Sequence, residues 1–297
     1  MFSELRKKAA FVLLKLTLFA KRNYLLNEFL TITCLASLIV KVRDYNTQSI
    51  NGLYFEADLY GTKIKFIDGT VRHEYYDEAL NGIMHEPALV RILNKLFTEN
   101  NSATFVDIGA HIGYFTVYAG NMLRNRGNVI SIEPNRDYHR QLLKNIELNR
   151  LPENTRTFQI GLSDKIGKAY MGGWEERDII ESDMGGIDVM TFDKLCESAG
   201  IKPDIVKIDV HGAEYKVLLG MTRTLDYQVK HLFLETHTED LMQGFNIPAV
   251  INFFDSTKFE LSQLNNFRIS MNDETVPIGD DLHADMMIYI RRRRHCG

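Results

Sequence analysis

The chain reads as an α/β protein of Rossmann-like architecture: a mainly parallel sheet, helices on both faces and an antiparallel strand pair at the C-terminal end. Three observations predict this. From about residue 103, short apolar runs alternate with helical segments, the pattern of a parallel sheet covered on both sides. One of these runs, within Phe105-Val-Asp-Ile-Gly-Ala-His-Ile-Gly-Tyr-Phe115, ends in a Gly-rich turn that opens a helix. Finally, Phe259–Leu264 and Met286–Ile290 are both strand-like with only a polar loop between them, so they should pair antiparallel.

The elements follow in order. Residues 9–20 form an apolar run of twelve residues, too short for a bilayer span, which takes about 20. Lys8, Lys15 and Arg22 recur every seven residues and give this segment a basic stripe. An amphipathic helix packed on the body is expected, with peripheral membrane contact the alternative. A signal peptide fits less well, because Lys15 interrupts the run. A second run, Phe29–Val40, is equally short. Residues 50–72 read as a β-hairpin turning at Gly61-Thr62. Pro87 opens a helix whose Leu89, Ile92, Leu93 and Leu96 share one face.

Strands are then expected at Thr104–Ile108, Val129–Ile132, Thr157–Ile160, Ile205–Ile208 and Leu232–Leu234. Helices are expected at Tyr114–Leu123, around Tyr138, Leu142, Leu143 and Ile146, and at Ala213–Leu219 and Ala249–Phe254. Residues 165–190, with the lone Trp174, read as an insert between strands. The organisation expected is an N-terminal helical and hairpin extension over 1–82, a catalytic domain over 83–290 and a basic tail over 291–297.

Composition narrows the function classes. Of the 297 residues, 45% are hydrophobic and 25% charged, an ordinary mix for a soluble globular chain. The three cysteines, Cys34, Cys196 and Cys296, show no zinc spacing and suit a reducing, cytoplasmic setting. The net charge of −4 hides a division. Residues 1–43 carry +6, Arg291–Arg294 carry +4, and the body over 44–290 carries −14. An acidic body excludes broad nucleic-acid binding, which needs a basic footprint.

The sharpest signal is Asp107-x-Gly109-x-x-x-Gly113 at a strand-to-helix junction, joined by Glu133 at the end of the next strand. A carboxylate there can accept hydrogen bonds from ribose hydroxyls. Dinucleotide sites want G-x-G-x-x-G, and Ala110, His111 and Ile112 break that pattern. The short-chain dehydrogenase variant also fails, because position 115 is Phe and no tyrosine has Lys four residues later. Asp107 suits a cationic ligand better than a pyrophosphate, and S-adenosylmethionine carries a sulfonium and an ammonium.

Val106-Asp-Ile-Gly-Ala-His-Ile-Gly-Tyr-Phe115 resembles the first motif of class I methyltransferases of the FkbM family. The resemblance continues through Ile132-Glu-Pro-Asn135, Gly161-Leu-Ser-Asp164, Val206-Lys-Ile-Asp-Val-His-Gly-Ala-Glu214 and Leu234-Glu-Thr-His237. It covers roughly residues 83–290. One departure is His211, where the family usually has Glu. The resemblance implies an S-adenosylmethionine-dependent O-methyltransferase acting on a hydroxyl of a sugar, glycan or related natural product. It places Asp107, Gly109 and Gly113, with His111 between them, at the methionine end of the cofactor. Glu133, followed by Asn135, falls at the ribose, and Ser163 and Asp164 fall at the adenine.

Two pairs, Asp209-x-His211 and Glu235-x-His237, end neighbouring expected strands, where ligands of open α/β sheets bind. These four residues are the candidate catalytic set. His237 is the expected general base, with Asp209 orienting substrate or cofactor. The alternative is a Mg²⁺ or Mn²⁺ ion held by Asp209, Glu235 and His237, which would acidify the acceptor hydroxyl. Lys207 reads as a buried ion-pair partner. Two other functions stay open at this level: a nicotinamide-dependent Rossmann oxidoreductase, and a non-catalytic, membrane-associated binding protein that keeps the fold.

Overall fold

Short apolar runs bounded by turn residues become strands here because both faces of the sheet are covered by helices. A computed structural model describes residues 54–67, 85–172, 178–181, 186–237, 246–264, 275–278 and 286–293. The expected N-terminal helices, the lone Trp174 and the last tail arginine, Arg294, lie outside the described residues. No helix among those described is long and apolar enough to cross a membrane.

The chain divides into two units, residues 1–57 with 65–85, and residues 58–64 with 86–297. The described hairpin joins β1 (Tyr54–Leu59) to β2 (Thr62–Ile67). Its two-residue turn, Tyr60 and Gly61, has positive φ at both positions, as a right-twisted hairpin requires.

The second unit carries the main sheet. Its helices are α1 (Pro87–Glu99), α2 (Tyr114–Leu123), α3 (Arg136–Leu148), α4 (Phe192–Ala199), α5 (Glu214–Leu219), α6 (Thr222–Tyr227) and α7 (Ile247–Asn252). Its strands include β3 (Thr104–Ile108), β4 (Asn128–Ile132), β5 (Thr155–Phe158), β10 (Ile205–Ile208) and β11 (His231–Glu235). These five are mutually parallel in the order β5-β4-β3-β10-β11. On the far edge, β14 (Met287–Arg292) runs antiparallel to both β11 and β12 (Phe259–Leu264), and β13 (Thr275–Pro277) pairs beyond β12. The expected antiparallel pair is therefore present, with a third short strand added. β14 continues through Arg292, and the Arg293 guanidinium still donates to the Ser256 carbonyl at 3.0 Å, so the basic run starts inside the fold.

A smaller sheet of order β6-β9-β7-β8 comes from β6 (Gly161–Leu162), β7 (Gly167–Gly172), β8 (Asp178–Glu181) and β9 (Ile187–Met190). Its β7, β8 and β9 occupy the stretch read from sequence as an insert, and β6 lies just before it.

Register sorts the sheet's side chains by face. Val106, Ile130, Val206 and Leu232 are aligned across the strands and fully apolar. With Ile108, Ile132, Ile208 and Leu234 they build the main core, packed by Phe192, Val217, Leu218, Leu225 and Val250 of α4–α7. The opposite face, under α1–α3, aligns Asp107, Ser131 and Lys207 instead. One face of the sheet thus stabilises the fold by apolar burial. The other carries a row of buried polar groups that ends at the carboxyl edge of the strands.

Candidate active site

The strand order reverses between β3 and β10. After β3 the chain moves outward through β4 to β5, then returns to β10 on the other side. Crevices in open α/β sheets form at such a switch point, beyond the carboxyl ends of the strands. The loops after β3, β4, β10 and β11 meet there, and each carries expected site residues.

The loop after β3 is held from several sides. Gly109 and Ala110 donate backbone N–H bonds to the Ile132 carbonyl at 3.0 and 3.1 Å. Gly109 has φ +81°, and a Cβ on it would lie 1.7 Å from the Asp209 carbonyl oxygen. The glycine is thus demanded by close approach of the β10 loop. Gly113 has φ +95°, and its Cβ would meet Leu142 of α3 at 2.5 Å. The fully buried Asn145 amide of α3 donates to the Ile112 carbonyl at 2.8 Å.

Glu133 is 5% exposed. Its Oε2 accepts the His111 backbone N–H at 2.7 Å and its Oε1 accepts that of Asn135 at 2.9 Å. Burial pushes its carboxyl up to about 7, against those two bonds, which lower it. The Asn135 side chain caps α3, accepting from the Asp137 and Tyr138 backbone N–H groups. The His111 ring sits against Tyr138, with centroids 4.0 Å apart. Ser163 and Asp164 follow β6. Ser163 is buried, and its hydroxyl donates to the exposed Asp164 carboxylate at 3.0 Å.

Asp107 lies lower on the same face. Its Oδ2 accepts the Thr116 hydroxyl at 2.7 Å, and Thr116 bonds Ser131 at 2.7 Å. Its Oδ1 is buried with no hydrogen-bond partner among the described residues. Burial raises the Asp107 pKa, with Lys207 and Thr116 opposing. Lys207, 2% exposed, donates to Asp209 Oδ2 at 3.1 Å and lies over the Phe115 ring. Burial works against its charge, but Asp209, Glu86, Asp107 and Glu235 outweigh that and hold its pKa above the ordinary value.

Asp209 joins two groups. With Glu86 and Glu235 it forms one set of converging carboxylates, and with His211 and His237 it forms another. The Lys207 ammonium bonds Asp209 of the first set, and Glu86 and Glu235 favour its charge. The expected metal set is therefore divided, with Glu235 on the lysine side and His237 on the other. Asp209 Oδ1 lies 3.7 Å from His237 Nε2 and 3.9 Å from His211 Nε2. Burial alone would raise the Asp209 pKa, but Lys207, His211 and His237 hold it well below the usual carboxylate range.

His237 is 4% exposed, and its Nδ1 bonds Glu214 Oε1 at 2.8 Å. Burial opposes its charge, yet Glu214, Asp209 and Glu235 raise its pKa to about 9. Glu214, fully buried at the start of α5, also accepts the Gly212 N–H on both oxygens, at 3.1 and 2.9 Å. The sequence reading left Glu214, Thr116 and Ser131 out of the site. Their partners lie 23, 9 and 15 residues away, so no local spacing announces them. The one available signal was a Glu in the first helical turn directly after the Asp209-x-His211 pair.

The sheet order, the glycine turn and the buried carboxylate after β4 are those of a Rossmann-like class I methyltransferase fold. The chain matches the Methyltransferase FkbM domain over residues 107–293. It is 28% identical over 190 residues to the hexuronic acid methyltransferase AglP of Haloferax volcanii, covering 61% of this chain and 73% of that protein. It is 29% identical over 224 residues to the AMB antimetabolite synthetase AmbE of Pseudomonas aeruginosa, covering 60% of this chain but 10% of that protein. A solved FkbM methyltransferase from Methylobacillus flagellatus superposes with a TM-score of 0.45 at 14% identity, covering 74% of this chain and 56% of that one. The chain belongs to the FkbM methyltransferase family and is an S-adenosylmethionine-dependent methyltransferase. The nicotinamide oxidoreductase and non-catalytic alternatives are set aside by that membership.

Proposed function

We propose that the protein transfers the methyl group of S-adenosylmethionine to a hydroxyl of a sugar or glycan. The observation that carries this reading is the imidazole of His237, anchored by a buried carboxylate at Nδ1 with Nε2 turned toward Asp209 and His211. An alcohol is a poor nucleophile until its proton is taken, and an anchored imidazole can take it. A carboxylate acceptor would need no such base.

The residues fit the cofactor. It supplies a methyl carbon on a positively charged sulfur, a cation with a vicinal ribose diol. The row of buried carboxylates suits the charge, and Asp107 Oδ1 has no hydrogen-bond partner among the described residues. Each Glu133 oxygen holds one backbone N–H, which leaves a lone pair on each for the diol. We assign Asp107, Gly109, His111 and Gly113 to the methionine end, Glu133 and Asn135 to the ribose, and Ser163 and Asp164 to the adenine. Asp209 and Glu235 balance Lys207 and line the transfer side with His211. His237 Nε2 would accept the hydroxyl proton in its neutral form, with the bound cofactor supplying the methyl carbon. Because the His237 pKa is raised to about 9, that form is the minor one at neutral pH, and transfer should rise as pH approaches about 9.

The naming of one relative as a hexuronic acid methyltransferase supports a sugar acceptor. The test is methyl transfer from labelled cofactor to oligosaccharides with and without uronic acids, followed by mild alkali. A methyl ether survives alkali, and a methyl ester is cleaved. An alkali-labile product would overturn hydroxyl transfer. His237→Ala is expected to lower kcat by about 10²–10⁴-fold while binding of S-adenosylhomocysteine persists.

A further inference from the structure

We propose that Asp209 Oδ1, His211 Nε2 and His237 Nε2 form a capture site for a borderline divalent ion such as Zn²⁺ or Co²⁺, and that its occupancy stops methyl transfer. The first half stands on geometry alone. The second rests on the reading of His237 as the base.

The three ligand atoms lie within 4.8 Å of one another. Asp209 Oδ1 is 3.7 and 3.9 Å from the two imidazole nitrogens. A tetrahedral ion with bonds of about 2.0–2.1 Å needs ligand separations of roughly 3.4 Å, so the two separations from Asp209 need to close by only a few tenths of an ångström, and the two imidazole nitrogens start within 4.8 Å of each other.

The far atoms of two ligands are already fixed. Lys207 Nζ holds Asp209 Oδ2 at 3.1 Å, and Glu214 Oε1 holds His237 Nδ1 at 2.8 Å. Metal-ligating imidazoles are commonly oriented this way, by a carboxylate on the other nitrogen. The near oxygen of Asp209 is buried and accepts no hydrogen bond among the described residues, so an ion would satisfy it. His211 closes the set from the solvent side. Its backbone φ of 51° brings its ring to 4.7 Å from that of His237, and its side chain is 35% exposed. An ion can enter past it.

The donor set decides the metal. Two imidazoles and one carboxylate suit Zn²⁺ and Co²⁺, whereas Mg²⁺ prefers oxygen ligands. The neighbouring Glu86–Asp209–Glu235 group is not such a site, because the Lys207 ammonium serves as its cation. Exclusion follows from a single lone pair. Nε2 of His237 can bind the ion or take the acceptor's proton, and it cannot do both.

The test is Co²⁺ titration of the full chain, read by its visible d–d absorption. One equivalent should bind with the bands of nitrogen and oxygen ligation. His211→Asn is the informative variant, because Asn tolerates positive φ and its amide is a weak ligand. It should abolish the bands while S-adenosylhomocysteine still binds, which shows the fold intact. Zn²⁺ should lower methyl transfer by about tenfold or more in the unmodified chain, with recovery on chelation. No bands, or bands unchanged in His211→Asn, would overturn the site. Stimulation of transfer by the ion would overturn the exclusion. Should no acceptor be methylated at all, the proposed function fails while the Co²⁺ bands still decide the site.

Discussion

At the scale of single residues, two glycines that look alike in sequence are enforced differently. A methyl on Gly109 would strike the Asp209 main-chain oxygen at 1.7 Å, and neither backbone can yield without moving β3 or β10. A methyl on Gly113 meets only the tip of Leu142, which can change rotamer. Gly109→Ala should therefore cost about 3 kcal/mol or more and Gly113→Ala about 1–2, as read from urea midpoints. Equal costs would show that positive φ, common to both, decides alone. Glu133 yields a pH prediction. Its pKa, raised by burial from 4.5 to about 7, means that the folded protein without cofactor binds this proton more tightly than the unfolded chain. The associated stability is fully present below about 4.5 and is lost as pH rises through about 7. A ribose diol needs the ionised form. Affinity for S-adenosylhomocysteine should thus rise about tenfold from pH 6 to pH 8, and Glu133→Gln should flatten that slope in calorimetry. Residue types and period-two spacing made Asp107, Asp209, His211 and His237 legible in the sequence. The sharing of Asp209 between a lysine and two histidines was not, because it depends on which oxygen faces which neighbour.

At the scale of elements, α3 links the cofactor turn to the sheet. Asn135 caps its start, Leu142 packs on Gly113, and Asn145 holds the Ile112 carbonyl. Asn145→Ala would leave that buried carbonyl without its donor. It should cost about 1–3 kcal/mol and weaken S-adenosylhomocysteine binding, since the 109–113 turn loses its anchor. A loss of stability with unchanged affinity would show that the turn is held without α3. Elements with a strong local signal were readable: β3, β10, β12 and α2 fall on the expected bounds. β5 lies two residues before its expected position, because a turn from Pro152 to Thr155 starts the edge strand early. The β6–β9 sheet escaped detection. Its strands are short and broken by polar turns, and β6 pairs with β9 across 28 residues, a contact that leaves no local pattern.

At the scale of the whole molecule, the acidic body seen in the charge count resolves into a structural feature. The sheet has one apolar face and one that buries Glu86, Asp107, Glu133 and Glu235, with Lys207 as the cation among most of them. Such a layer is stable only while its charges compensate, so Lys207 should matter to folding beyond its contacts. Lys207→Met keeps much of the methylene packing on Phe115 and removes the charge. Breaking a buried pair in this way costs about 3–5 kcal/mol, because the partners stay buried and uncompensated. The pH dependence separates charge from packing. Lys207 has a folded pKa above its ordinary 10.5, so its contribution is present throughout the neutral range and is lost only as pH rises through the folded value. Without it, the facing carboxylates gain protons more readily in the folded state than in the unfolded chain. The deficit of Lys207→Met relative to the unmodified protein should then shrink as pH falls from 8 toward 5, measured by urea denaturation at each pH. A deficit that stays constant over that range would assign the loss to packing and refute the reading of Lys207 as the counter-charge of the catalytic face.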